Sequence, residues 1–145
     1  SVDDTITVMK IVGNCIMAWA AWVITYTGLP VEPAAILAVL MAVDFAAGIG
    51  RARAIGEHVT SQKMKTGAIS KCGVMLVPLV LALAAKGVGT DLQWIVSWVV
   101  SLFILSETYS ILANIYTIRT KQEIPEWDAM SVVLRKIRSL LERMG

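Results

Sequence analysis

Four long apolar segments occupy most of this chain of 145 residues, and they leave few folds open to it. A helix that crosses the hydrocarbon core of a bilayer needs about 20 mostly apolar residues. We predict four such helices, over residues of about 8–28, 33–50, 67–85 and 92–116. The expected fold is therefore an all-α integral membrane protein, with residues 1–145 in a single membrane domain.

The composition agrees with a membrane location and argues against several functional classes. Hydrophobic residues make up 57% of the chain and charged residues 17%, whereas soluble domains average about 45–50% and about 25%. The net charge of +2 gives no reason to expect a nucleic-acid partner. Phosphate-binding glycine loops and the HExxH metal motif are absent from the sequence, so we expect no catalytic residue, cofactor or metal. Cys15 and Cys72 lie in apolar segments, and we expect both to be buried and unpaired.

The distribution of basic residues predicts an orientation. Cytoplasmic loops of membrane proteins carry an excess of Lys and Arg. The basic residues near the middle connection are Arg51, Arg53, Lys63, Lys65 and Lys71, and those after the fourth span are Arg119, Lys121, Arg135, Lys136, Arg138 and Arg143. The middle connection and the C-terminus are therefore expected on the cytoplasmic side, and four spans place the N-terminus there too.

The last 20 or so residues differ from the four spans. Apolar residues recur at helical spacing after Pro125, and the opposite face carries most of the basic residues, which predicts an amphipathic helix over about 125–144 that is too polar to span. The residues that we expect to contact a membrane surface or a docking partner are Trp127, Arg135, Lys136, Arg138 and Arg143. Anionic lipid of the inner leaflet would attract these cations. Packing against a neighbouring subunit is the alternative, and the sequence leaves both open.

Three of the apolar segments contain a charged residue well inside the run: Asp44, Lys71 and Glu107. A charge at this depth costs roughly 2.5–3.5 kcal/mol on insertion scales, so it survives where it is paired or faces water. Counted along the helices, Asp44 and Lys71 lie at similar depths, which predicts an ion pair. Such a pair either fixes the packing of two helices or takes part in function.

Glu107 is deeper, and no basic residue on another span matches its depth by residue count. It belongs to a stripe on one helix face formed by Phe103, Glu107, Ser110, Asn114 and Thr117, with Ser106 beside it. A polar stripe in a bilayer either bonds neighbouring helices or lines water. Both uses remain open, and they can follow one another in time.

Two motifs resemble those of a known family. Residues 106–114, Ser-Glu-Thr-Tyr-Ser-Ile-Leu-Ala-Asn, followed by Glu123-Ile124-Pro125, resemble the E-x-x-S-I-x-x-N…P signature of the toxin-secretion and phage-lysis holins, the phage holin family 4 type. Asp44 and Gly48 resemble that family's D-x-x-x-G motif in an earlier span. The resemblance covers residues of about 37–125.

The resemblance implies a small, multi-pass protein of the bacterial inner membrane that binds other copies of itself. Such proteins open a lesion at a set time and release an endolysin or a secreted toxin, without a required direct contact with that cargo and without breaking a covalent bond. It leaves open whether the chain is a lytic holin or an antagonist of one. Two other classes also remain: a structural membrane anchor for a larger assembly, and a small selective channel with its site at Glu107.

Overall fold

The computed structural model describes residues 1–89 and 92–145, and the described chain contains five helices. They are α1 (Val2–Thr27), α2 (Val31–Ala54), α3 (Ser61–Val88), α4 (Gln93–Thr120) and α5 (Ala129–Met144). Each of the first four is long and apolar enough to cross a membrane. The predicted all-α fold with four spanning helices and a C-terminal amphipathic helix is confirmed.

The helices are longer than the predicted spans, because the apolar runs mark only the parts expected in hydrocarbon. The largest extensions are at the starts of α1 and α3, each six residues before the predicted span, and the start of α3 has a side-chain cap. There the hydroxyl of Thr60 caps the helix by accepting a hydrogen bond from the backbone N–H of Lys63, 3.2 Å away.

The start of α5, in contrast, lies later than predicted. The carboxylate of Asp128 accepts hydrogen bonds from the N–H groups of Met130 and Ser131, at 3.1 and 3.4 Å. Asp128 is thus the N-cap of α5 and does not belong to its first turn. Residues 122–128, including Trp127, form a non-helical link between α4 and α5.

The helices α2 and α4 run in the same direction and form the main contact of the bundle. Gly48 faces Asn114 and Gly50 faces Ile118, and a Cβ added to Gly50 would lie 3.1 Å from a side-chain carbon of Ile118. The missing side chain therefore lets the two helices approach closely. The helix α3 packs beside this pair, and the apolar core contains Leu37, Met41, Ile95, Val99 and Phe103.

The first helix is peripheral and is held mainly near its C-terminal end. Val23 is its one buried residue among those described. The ammonium of Lys86 on α3 donates a 2.5 Å hydrogen bond to the carbonyl of Tyr26 and lies 4.1 Å from the centre of the Tyr26 ring. These contacts hold the end of α1 to α3 and leave most of α1 free for lipid or another subunit.

Large apolar side chains cover the outside of the bundle, as expected where lipid is the solvent. Met17 on α1, Ile69 on α3 and Leu105 on α4 are each about two-thirds exposed or more. Cys15 and Cys72 also lie on outward faces and are unpaired, so the expectation that they are buried was wrong. A small apolar residue in a membrane protein satisfies hydrophobicity by facing lipid as well as by facing the core.

The helix α5 folds back along α4 of its own chain. Its residues Ala129 and Val133 are buried in the same apolar core as Val99 and Phe103. Further along, the ammonium of Lys136 lies 5.9 Å from the centre of the Trp94 ring, near the start of α4. The helix thus runs antiparallel to α4, a position that differs from both alternatives considered from sequence.

Candidate functional site: a charged cluster between the membrane helices

Three membrane helices each contribute one charged residue to a single cluster. The ammonium of Lys71 on α3 donates hydrogen bonds to the carboxylate of Asp44 on α2, at 2.5 Å, and to the carboxylate of Glu107 on α4, at 3.0 Å. The amide of Asn114 on α4 donates a third bond, 3.0 Å long, to the second carboxylate oxygen of Asp44. We call these four residues the charged cluster.

The charged cluster is shielded to different degrees. The side chain of Asp44 is 6% exposed, that of Glu107 13%, and that of Lys71 28%. A buried charge needs partners that replace its lost hydration. Both oxygens of Asp44 receive such bonds, and those bonds join α2 to the other two helices.

The expectation that Glu107 has no basic partner was wrong. Residue counting gave the height of each Cα along its helix, but it did not include the reach of the lysine side chain. The long stem of Lys71 carries its ammonium group away from the backbone, to a point between Asp44 and Glu107.

The composition of the charged cluster leaves an imbalance of charge. With all groups ionised, two carboxylates share one ammonium, so the cluster carries one excess negative charge. An excess charge at membrane depth favours contact with water or with a cation. The charged cluster therefore connects three helices, and its excess charge favours an arrangement of these helices in which water reaches it.

A cavity of about 400 Å³ leads to the charged cluster from the side of the α2–α3 connection. Its inner part is lined by Asp44, Lys71, Glu107 and Asn114. Its outer lining includes the polar residues Arg51, Glu57, His58, Lys63, Ser110 and Glu126. A cavity of this size and polarity has room for several waters, so a hydrated path can reach the charges from one end of the bundle.

A second cavity, of about 480 Å³, lies between α4 and the link to α5. Arg51, Ser110, Asn114 and Glu126 line both cavities. One wall of the second cavity is the link itself, including Pro125 and Trp127. Movement of this link would change access to the polar face of α4.

The other residues of the predicted stripe have separate surroundings. Ser110 lines both cavities, whereas Ser106 is half-buried and lines neither of them. Thr117 is buried, and its hydroxyl lies 3.1 Å from the carbonyl oxygen of Ala113 and 3.0 Å from that of Gln122. Thr117 thus fastens the start of the link, in addition to lining the second cavity.

Sequence reasoning missed two contacts that hold the link to the bundle. Arg51 on α2 forms an ion pair with Glu123. The hydroxyl of Tyr109 on α4 donates a 3.1 Å hydrogen bond to the carbonyl of Pro125. In the sequence, Glu123 and Pro125 are distinctive only as part of the family motif. No local pattern reveals a contact partner so distant in sequence.

The basic residues of α5 divide between its two sides. Lys136 faces Trp94, while Arg138 is exposed and forms a 3.0 Å ion pair with Glu142 one turn on. Arg135 and Arg143 are also exposed. In residues 1–89 and 92–145, no group of three or more His, Cys, Asp or Glu side chains is placed to hold a metal ion.

Four spanning helices, an apolar exterior and a charged cluster between helices define a small multi-pass membrane protein whose polar groups are concentrated inside the bundle. A model of the Bacteriophage holin family matches residues 21–138, which is most of the chain, and the chain belongs to this family. The matched range includes all four residues of the charged cluster. No curated protein and no solved structure matches the chain.

Proposed function

We propose that this protein is a holin of the bacterial cytoplasmic membrane, which associates with copies of itself and opens a lesion that releases an endolysin or a secreted toxin. Family membership supports the general class. The single observation that carries the proposal is the polar cavity that extends from the α2–α3 connection to charged side chains at membrane depth. No covalent bond is made or broken in this activity.

Before the lesion opens, the polar groups of the charged cluster are satisfied within each chain. Lys71 neutralises much of the charge of Asp44 and Glu107, and Asn114 supplies a further hydrogen bond. The four spanning helices can therefore remain in lipid as a stable bundle while the density of the protein in the membrane is low.

As density rises, the apolar outer faces of neighbouring chains come into contact. The free face of α1 offers such a surface, because it is held to its own bundle mainly at one end. We infer that α4 then rotates or shifts, so that the stripe with Glu107, Ser110 and Asn114 meets water continuous with the existing cavity. The lysis lesion grows from this hydrated path.

The membrane potential is a physical influence on this step. Moving one elementary charge across 100 mV changes the free energy by about 2.3 kcal/mol. With Asp44, Lys71 and Glu107 all ionised, the charged cluster has an excess negative charge, so its position depends on the potential. Collapse of the potential would change the balance between the closed and the open arrangement.

The proposed orientation places the N-terminus, the α2–α3 connection and the C-terminal end of α4 in the cytoplasm, and docked α5 then runs from there toward the opposite face of the membrane. Arg51, Arg53, Lys63 and Lys65 lie at the ends of α2 and α3 that meet at this connection. The positive-inside rule supports a cytoplasmic location for them. The hydrated cavity then opens to the cytoplasm, which is the side from which an endolysin or toxin must leave.

Controlled expression in a bacterium tests the proposal directly. Membrane potential and the release of a folded cytoplasmic endolysin reporter are followed together, with membrane insertion measured in the same cells. Abrupt depolarisation with reporter release after a delay is the expected result. Continued growth at confirmed membrane levels would contradict holin action and favour an anchor for a larger assembly. Ion flux without reporter release would favour a small selective channel.

A further inference from the structure

The docked position of α5 places a strongly basic helix beside a membrane-spanning one. With 16 residues, α5 is about 24 Å long. It begins beyond the link, which Tyr109 contacts, and reaches Trp94 through Lys136. It therefore lies alongside the part of α4 that is expected to cross the hydrocarbon core.

One side of α5 is well matched to this position. Val133 is 1% exposed, and Ala129 is also buried among apolar residues of α2 and α4. Ile137 and Leu140 pack against the same core. Much of the apolar face of the amphipathic helix is thus buried within its own chain, while Leu134 and Leu141 at its edge remain exposed.

The opposite side of α5 does not suit lipid. Ser131, Arg135, Arg138 and Glu142 are exposed there, and the side chain of Arg138 is 79% exposed. Charged side chains that face hydrocarbon are strongly unfavourable, and those found at membrane depth face protein or a water-filled space. The docked helix needs water along this face.

We propose that docked α5 lines the aqueous lumen of the assembled lesion, with Arg135, Arg138 and Glu142 facing the water. The charged face of α5 contacts the water of the lumen, and the α5 helices of neighbouring copies surround that lumen. The inference rests on the proposed holin function and adds which surface of the chain faces the lumen.

The link supports the docked position over a free helix on the membrane surface. The Arg51–Glu123 ion pair, the Tyr109–Pro125 hydrogen bond and the contact of Thr117 with Gln122 hold the chain close to α2 and α4. These contacts aim the chain back along the bundle before α5 begins. A helix intended only for the leaflet surface would need no such attachment.

The charge of this face predicts the ion preference of the lumen. This face has two basic residues, Arg135 and Arg138, and one acidic residue, Glu142, so its net charge is positive. Basic side chains around a pore raise the local concentration of anions. The open lesion should therefore favour chloride over potassium.

The first test is the reversal potential of the purified full chain in planar bilayers under a potassium chloride gradient. The wild-type protein should show an anion preference, and R135Q/R138Q should lose most of it while still conducting. R53Q removes a cation from an exposed position at the end of α2 and should keep the preference. Conductance without anion preference, or an equal change in R53Q, would overturn the lining role of α5. A wild-type chain that never conducts would instead contradict the proposed function itself.

A second test fixes α5 in its docked position. In a C15A/C72A background, W94C/K136C is joined by a short bifunctional maleimide after insertion into vesicles of phosphatidylethanolamine and phosphatidylglycerol. Dye release should persist after the link is made, because the docked position belongs to the open state. Loss of release in the joined protein, with normal release from the two single-cysteine variants after the same treatment, would show that α5 must leave α4 for the leaflet and would overturn the inference.

Discussion

The ammonium of Lys71 lies 3.0 Å from the carboxylate of Glu107, although the two residues belong to different helices and are 36 positions apart. Because the same ammonium also contacts Asp44, removal of one side chain affects two buried carboxylates. The charged cluster is therefore a joint between three helices, and changes in its charge should affect both stability and lesion opening.

Substitution of Lys71 by Met should destabilise the bundle. Breaking a buried ion pair typically costs about 3–5 kcal/mol, and the partial exposure of Lys71 lowers the expected loss to about 2–3 kcal/mol. Thermal unfolding in detergent micelles or nanodiscs measures this loss. The triple variant D44N/K71M/E107Q removes all three charges and should recover part of the stability. If the triple variant unfolds at the same temperature as K71M, unpaired charge is not the cause of the stability lost in K71M.

Glu107 should influence the time at which the lesion opens. E107Q keeps an oxygen that can accept from Lys71 and removes the excess negative charge, so we expect a shifted release time. E107L also removes the polar contact with water, so it should delay release strongly or abolish it. Release of the folded reporter is measured at equal membrane levels of each variant. Unchanged timing in both variants would exclude Glu107 from the opening step.

The hydrogen bond from Asn114 to Asp44 should contribute measurably to stability. N114A leaves a buried carboxylate oxygen without this donor, and the expected loss is about 1–3 kcal/mol. S106A changes a half-buried hydroxyl on the same helix outside the charged cluster and should stay within about 0.5 kcal/mol of the wild type. The midpoint of thermal unfolding compares the two variants. Equal losses of stability in N114A and S106A would mean that the hydrogen bond from Asn114 to Asp44 does not stabilise the bundle.

The sequence predicts the positions of the helices along the chain well, and it predicts the contacts between the helices less well. Long apolar runs define α1 to α4, and the spacing of apolar residues after Pro125 defines α5. Depth along a helix also suggested that Asp44 and Lys71 lie close together. It did not reveal the contact with Glu107, because residue counting gives neither the reach of a side chain nor the direction that each helix faces.

The position of α5 illustrates the same limit. Its amphipathic pattern shows that one face needs an apolar partner, and a leaflet, another subunit or its own α4 would all satisfy that pattern. The contacts that select α4 involve Arg51, Tyr109 and Thr117, which lie on other helices. Tertiary contacts of this kind have no local sequence signal.

The close approach of α2 and α4 at Gly50 gives a steric prediction. A Cβ at this position would already lie 3.1 Å from Ile118, so G50L should separate the helices and destabilise the bundle by about 1–3 kcal/mol. G13L provides the comparison, because nothing lies within 4 Å of a Cβ added at that position on α1. It should leave stability unchanged or raise it slightly, since Gly is a weak helix former. Thermal unfolding of both variants tests this difference, and a harmless G50L would contradict the close contact.

The docking of α5 on α4 is testable without reference to function. V133D places a charge at a fully buried position and should release α5 from the bundle, while L134D changes a neighbouring residue that is 59% exposed and should leave it docked. Trypsin cleaves after Arg135, Lys136 and Arg138, and helical residues that pack against a bundle resist cleavage because the protease needs an extended chain. In detergent, V133D should therefore lose its C-terminal residues much faster than the wild type, and L134D should lose them at nearly the wild-type rate. If both variants and the wild type are cut equally fast, α5 is not held against α4 in solution.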